Sequence, residues 1–161
     1  MIAELIIILP VLAANPEAAE SEAKLLERGR YIMTAIEGCG CHTREDKNGH
    51  KVKQWSFAGA PEKPPPVGSP ANAGWTNARY KKIYASNITP DPETGIGKWT
   101  EADFIVAMRS GVTPSGKVLD AQMPWPAFLG ITDSDLKSMW AYLKTLKPIK
   151  NKVPENIPLN K

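Results

Sequence analysis

The chain places both of its cysteines and one of its two histidines in a single short stretch, Glu37-Gly38-Cys39-Gly40-Cys41-His42-Thr43. Two thiols beside an imidazole can bind a metal ion or attach a metal-containing cofactor. The spacing Cys-x-Cys-His is one residue shorter than Cys-x-x-Cys-His, in which both thiols bond to haem and the imidazole ligates its iron. Features elsewhere in the chain are therefore needed to identify the metal or cofactor that this stretch binds.

A long helix is predicted immediately before this stretch, from about residue 16 to 37. Asn15-Pro16-Glu17 supplies an N-cap, a proline at the first helical position and an acid in the first turn. Apolar or small residues then recur at three- and four-residue intervals: Leu25, Leu26, Gly29, Ile32, Met33 and Ile36. Gly29 would cost about 1 kcal/mol relative to Ala in a helix, so we expect it to allow another helix to cross closely.

Two further helices are predicted nearer the carboxyl end. Thr100 and Asp103 form a capping-box-like start for the first, and Gly111 ends it. Thr132 or Asp133 caps the second, which runs from Ser134 to about Leu146. Its apolar stripe is the expected partner of the Gly29 face and consists of Leu136, Met139, Trp140, Leu143 and Leu146.

Residues 44 to 98 contain many glycines and prolines and predict a long loop region, not a second domain. The fifteen prolines of the chain favour long, stiff connections. Such connections are typical of a fold whose loops surround a bound group, which could be a cofactor. Within this region, residues 55–58 and 82–85 alternate weakly and predict a short hairpin-like pair. His50 lies beside Asn48-Gly49 and is expected to be an exposed turn residue.

The domain limits follow from composition. Residues 1–14 are apolar except for Glu4 and predict an export signal or a short hydrophobic anchor. Residues 15–150 are expected to form one domain, and residues 151–161 an extended tail. A net charge of +3 is too modest to indicate nucleic-acid binding.

Met123 is the candidate for a second metal ligand. It lies in a loop stiffened by Pro124 and Pro126 beside Trp125 and Phe128, so a ligand here would be pre-positioned, although plain packing explains the pattern equally well. The other internal methionines occur on predicted apolar stripes and are better explained as core residues: Met33, Met108 and Met139.

Several stretches in a fixed order resemble class I c-type cytochromes, in particular the cytochrome c modules that accompany periplasmic alcohol, aldehyde and sugar-acid dehydrogenases. They are residues 28–31, 86–91 through 95–97, 99–104, 123–125, and 132–136 leading to 141–144. Together they span roughly residues 28 to 155, and their combination is far more specific than the cysteine motif alone.

The resemblance implies an all-α, cytochrome c-like fold in which the N- and C-terminal helices cross and a long loop region surrounds one covalent haem c. It implies that His42 and Met123 ligate the iron and that Cys39 and Cys41 are the attachment residues. Further candidates for haem contact are Asn87, Trp99, Trp125 and Arg109; for Arg109, an exposed cation at a helix end is an equal alternative.

The shortened motif affects one thioether only. Counted back from Cys41-His42, residues 28–31 stand where the family has them, so Gly38 occupies the place of the first cysteine. Residues two apart on a helix differ by about 160° in direction, so Cys39 and Cys41 cannot both reach the haem vinyl groups from a regular helix. Either Gly38 and Gly40 unwind the turn, or a single bond forms at Cys41, which the strain of unwinding favours.

The function implied is a monohaem electron carrier or electron-transfer subunit, not an enzyme, in the periplasm or on the outer face of the cytoplasmic membrane. It would pass single electrons from a dehydrogenase or quinol-oxidising complex to an oxidase or reaction centre, with no nucleic acid and no small-molecule substrate as partner. One alternative is a Cys/His metal-binding module without haem, using Cys39, Cys41, His42 and His50, although Cys-x-Cys poorly matches zinc-ligand spacing. A haem enzyme such as a peroxidase needs an open distal site, against which Met123 argues.

Overall fold

The computed structural model describes residues 16–35, 38–63 and 74–159, so the predicted apolar segment 1–14 lies outside the described residues. Its helices are α1 (Pro16–Ala35), α2 (Gly38–His42), α3 (Glu101–Ser110) and α4 (Asp133–Thr145). Short 3-10 turns cover Lys53–Trp55 and Trp125–Gly130, and β1 (Tyr80–Lys82) pairs antiparallel with β2 (Ile157–Pro158). This mainly helical architecture with one small sheet is compatible with the expected cytochrome c-like fold. None of the helices described is both long and apolar enough to span a membrane.

Helices α1 and α4 cross at Gly29, as the sequence predicts. A Cβ at Gly29 would overlap the carbonyl oxygen of Ser138 and lie 2.9 Å from Cβ of Tyr142. On the rim of the crossing, Arg28 donates from Nε and Nη2 to the two carboxylate oxygens of Asp135, at 2.8 and 3.1 Å. The helix axes can therefore approach closely only because position 29 carries no side chain.

The helix ends follow their predicted signals. The hydroxyl of Thr100 accepts from the Asp103 N–H at 3.1 Å, and the Asp103 carboxylate accepts from the Thr100 N–H in return. Gly111 ends α3 in the left-handed conformation with φ of 68°. Thr132 caps α4, so this helix begins at Asp133, one residue earlier than predicted.

The hydrophobic core is the shared interior of α1, α3 and α4. It contains buried side chains from all three helices: Ile32, Met33, Phe104, Met108, Leu136, Met139, Trp140 and Leu143. Leu25, predicted on the same face, is instead 36% exposed. At about 25 cal/mol per Å² of apolar surface buried, this cluster is the main stabilising contribution to the helical part of the fold.

The predicted hairpin between residues 55–58 and 82–85 is wrong. Trp55 ends a 3-10 turn, Phe57 has a φ of +62°, and Gly59 has a φ of +75°, so this segment lacks the extended backbone that a strand requires. Ile83 pairs with Trp75 instead, through N–H to carbonyl bonds of 2.9 and 2.7 Å. The weak alternation in the sequence could not reveal this change in backbone direction.

The segment after α4 is extended, and its described part, residues 151–159, packs against the loop region. The buried Asn151 donates from Nδ2 to the carbonyls of Ala58 and Ala60, at 2.6 and 2.8 Å. Its Oδ1 accepts from Arg44 at 2.7 Å. With β2 paired to β1, this segment fixes the position of the loops that follow the cysteine motif.

Candidate cofactor site

The three core helices face the loop region across a cavity of about 1500 Å³. This exceeds the roughly 300–1,000 Å³ typical of small-ligand pockets. Much of its helical wall consists of apolar side chains: Met33, Phe104, Met108, Met139 and Leu143. The cavity also brings together five of the predicted site residues, namely Cys41, His42, Asn87, Trp99 and Met123.

His42 is buried at the cavity wall with its ring orientation fixed. Nδ1 lies 2.7 Å from the carbonyl oxygen of Ser86. Because a carbonyl only accepts, Nδ1 carries the proton and Nε2 keeps its lone pair. No residue in the described part of the chain is hydrogen bonded to Nε2. An imidazole held in this way has the form in which histidine ligates a metal.

Burial also sets the charge of His42. Desolvation lowers the pKa of the imidazole below its ordinary value, and the bond to Ser86 opposes this shift only in part. The neutral form is therefore favoured at neutral pH. The surrounding backbone is fixed as well, because the His42 carbonyl accepts from the Gly59 N–H at 2.8 Å and the Thr43 hydroxyl accepts from the Phe57 N–H at 3.1 Å.

Cys41 lies one residue before this imidazole and lines the same cavity, with an exposed side chain. The backbone is helical from Gly38 to His42. Because residues two apart on a regular helix point in different directions, this geometry predicts a single thioether, at Cys41. The side chain of Cys39 lies outside the described side chains, so its bonding stays a prediction.

Met123 is half-buried, lines the cavity and packs against the core. Its N–H donates to the Asp120 carbonyl at 3.0 Å, and its carbonyl accepts from the Trp125 N–H at 2.7 Å. These two bonds form a turn that presents the thioether at the start of the 3-10 segment Trp125–Gly130. A thioether and an imidazole facing one cavity can provide the two axial ligands of a haem iron.

The structure does not place Trp125 on the cavity wall. Its indole packs against the end of α3, where a Cβ at Gly111 would overlap the ring. Trp125 therefore supports the Met123 turn from behind. Its predicted contact with a cofactor stays a prediction without support from this geometry.

Arg109 likewise lies away from the cavity lining. Its guanidinium donates to the carbonyls of Phe128, Leu129 and Ile131, at 2.6 to 3.1 Å, and to the Asp133 carboxylate at 2.6 Å. Only 29% of its side chain is exposed. Arg109 thus joins α3 to the 3-10 segment and to the start of α4, a role that neither prediction for this residue anticipated.

Asn87 and Trp99 do line the cavity. The buried Asn87 donates to the Ile149 carbonyl at 2.8 Å and to the Thr94 hydroxyl at 3.1 Å, and its Oδ1 accepts from Thr89 N–H and Oγ1 at 3.0 and 2.8 Å. Its polar atoms therefore hold the loop that forms the cavity wall. Ser86 was missed as a site residue because it acts through its backbone carbonyl, which no side-chain pattern reveals.

The alternative Cys/His metal module gains no support from the described residues. The side chain of His50 is 79% exposed and lies beside Asp46, with 3.6 Å between Nδ1 and Oδ2. Among the residues the structure describes, no group of three or more His, Cys, Asp or Glu side chains converges to hold a metal ion. The side chain of Cys39 is not covered by that statement.

Comparison with known proteins places this chain beside dehydrogenase subunits. It is 34% identical to a subunit of nicotinate dehydrogenase from Pseudomonas putida over 88% of its own length and 10% of that protein. It is 32% identical to the cytochrome c subunit of quinone alcohol dehydrogenase from Gluconobacter oxydans, over 86% of this chain and 25% of that subunit. It is 35% identical to the cytochrome c subunit of gluconate 2-dehydrogenase from Pantoea cypripedii, over 73% and 22%.

These matches confirm the resemblance to cytochrome c subunits of dehydrogenases that the motifs predicted. The chain spans a tenth to a quarter of the length of these curated relatives. No family model matches it.

Proposed function

We propose that this chain is a c-type cytochrome domain that holds one covalently attached haem and transfers single electrons. The observation that carries the proposal is the pairing of His42, with Nδ1 bonded to Ser86, and Met123 on one largely apolar cavity of about 1500 Å³. The names of the relatives support the same conclusion. One haem is proposed because the second histidine of the chain, His50, is exposed and lies apart from the cavity lining.

Each residue of the site has a role in this proposal. Nε2 of His42 and the sulfur of Met123 would ligate the iron, and Cys41 would attach the haem covalently beside His42. When bound, haem supplies an iron centre that gains and loses one electron. Methionine ligation favours ferrous iron and raises the potential, and the apolar wall limits the access of water to the metal.

The redox partners and location follow from the relatives as part of the same proposal. Cytochrome subunits named for alcohol, gluconate and fructose dehydrogenases favour a dehydrogenase or a quinol-oxidising complex as the electron donor. An oxidase or reaction centre would accept the electrons. This electron transfer takes place in the periplasm or at the outer face of the cytoplasmic membrane. The domain acts there as an electron carrier and does not itself convert a substrate.

Covalent attachment of haem should depend on export of the domain from the cytoplasm. Fused to an export signal in cells with c-type maturation, the domain should acquire covalent haem with a low-spin spectrum, whereas the same domain retained in the cytoplasm should accumulate without haem. The pyridine haemochrome spectrum should show one unsaturated vinyl group, as expected for a single bond at Cys41. An exported, folded protein without a Soret band would refute the haem site, and zinc in that protein would favour the Cys/His module.

A further inference from the structure

Lys82 is a buried cation in the wall of the cavity. The residue is only 5% exposed and belongs to β1, where it lies opposite Ile157 of β2. Nothing in residues 16–35, 38–63 or 74–159 forms a hydrogen bond or ion pair with its ammonium. The ammonium itself keeps some accessible surface, because Nζ is not among the described buried polar atoms that lack a partner. An anion within the cavity can therefore accept hydrogen bonds from it without displacing a protein partner.

The protein supplies no such partner in the described part of the lining. The two carboxylates there are already engaged, since Glu45 pairs with Lys51 and Asp120 accepts from Asn77 and Arg79 at 2.9 Å. The other lining cations differ from Lys82, because Lys51 is paired and Lys117 is exposed. Lys82 is thus the buried lining cation whose charge is not balanced by a described residue.

The backbone around Lys82 keeps space for its side chain. Gly74 adopts a φ of +82°, and a Cβ at this position would overlap the Ile83 carbonyl and lie 3.0 Å from Cε of Lys82. The bridge between Trp75 and Ile83 holds this glycine beside the lysine stem. The lysine is therefore confined to a defined place in the wall.

We propose that the ammonium of Lys82 binds a propionate carboxylate of the haem. This inference rests on the proposed function, because haem is the cavity occupant that would bring the anion. A charge-assisted hydrogen bond from an ammonium to a carboxylate is about twice as strong as a neutral one. Lys82 thereby fixes the orientation of the propionate edge and offsets its negative charge near the iron.

The test compares Lys82→Met with Lys81→Met in exported holoprotein. Both remove one positive charge from β1, but Lys81 is exposed and outside the cavity lining. Lys82→Met should shift the propionate bending band in the resonance Raman spectrum and lower the midpoint potential, because losing a nearby positive charge favours ferric iron. Lys82→Arg, which keeps the charge, should return both readouts toward wild type.

The failures of the two proposals are distinguishable. Wild-type protein without covalent haem would refute the proposed function. Holoprotein in which Lys82→Met and Lys81→Met give the same Raman band and the same potential would overturn the role of Lys82 and leave the haem site intact. If Lys82→Met lowers the potential but leaves the propionate band unchanged, the proposal is also overturned. Lys82 would then act on the iron through its charge from a distance, without binding the propionate.

Discussion

The loop that carries Met123 is held by backbone hydrogen bonds. Its stability therefore does not depend on the chemistry of the Met123 side chain. The hydrogen bonds that form the turn join Asp120 to Met123 and Met123 to Trp125 through peptide groups only. Leucine has a similar volume and can occupy the same place without the thioether. The sulfur can therefore be removed while the loop is retained.

Met123→Leu should lower the midpoint potential and open the sixth coordination position to carbon monoxide. The reason is that a leucine side chain cannot ligate iron, whereas His42 and the attachment at Cys41 are unchanged. Met139→Leu is the matched control, because Met139 is buried in the core on the same cavity and should keep the wild-type spectrum. A Met123→Leu protein with an unchanged potential and no carbon monoxide binding would contradict the axial assignment.

The helices show which parts of the fold are specified locally. The caps at Thr100 and Thr132 and the stop at Gly111 depend on residues within a few positions, and all three were predicted. The Gly29 crossing was also predicted, since a glycine in an apolar helical face signals close approach. The hairpin prediction failed because the positive φ of Phe57 depends on contacts with Thr43 and Ile88, which are distant in sequence.

Gly29→Ala should destabilise the protein by about 1–3 kcal/mol, the usual cost of forcing extra volume into a packed interface. The gain in helix propensity, about 1 kcal/mol, would apply only if the helices could move apart. Gly130→Ala provides the control, because a Cβ there meets no atom within 4 Å. The measurement is the free energy of unfolding in urea; equal values for the two variants would show that the crossing tolerates a side chain.

Across the whole molecule, one polar network joins the loop before α3 to the segment after α4. Thr94 is its centre: its hydroxyl donates to Asp91 at 2.8 Å and accepts from Asn87 at 3.1 Å and from the Asn151 N–H at 2.9 Å. The Asp91 carboxylate also accepts from the Thr94 and Glu93 N–H groups, at 2.7 and 3.1 Å. Hydrogen bonds from Thr94 are the main reason why the pKa of Asp91 is lowered.

Asp91 should make the fold sensitive to acid. Because its folded-state pKa is lowered, its contribution is present above the ordinary aspartate value of about 3.9 and is lost as pH falls through the folded-state pKa. Asp91→Asn should therefore be less stable than wild type at pH 7, with the difference narrowing below about pH 4. Urea unfolding at several pH values measures this, with the exposed Glu62→Gln as control; a pH-independent difference would contradict the linkage.

The candidate site was predictable where its chemistry belongs to side chains in recognisable motifs. His42, Cys41 and Met123 carry such signals, and the structure brings them to one cavity. Lys82 could not be identified in the sequence, because its burial follows from long-range pairing of β1 with β2. The hydrogen bonds of Arg109 could not be predicted for a related reason, since the carbonyls that accept from it become neighbours only when the 3-10 segment packs against α3.

The contacts of Asn151 also impose an order of events on folding. The bonds to Ala58 and Ala60 join residues 93 and 91 positions apart, and such distant closures are slow because chain entropy must be lost first. The short helix that carries Cys41 is local in sequence and can form earlier. An exported chain would thus pass through an interval in which Cys41 is accessible for attachment while the loops that follow it are not yet held by Asn151.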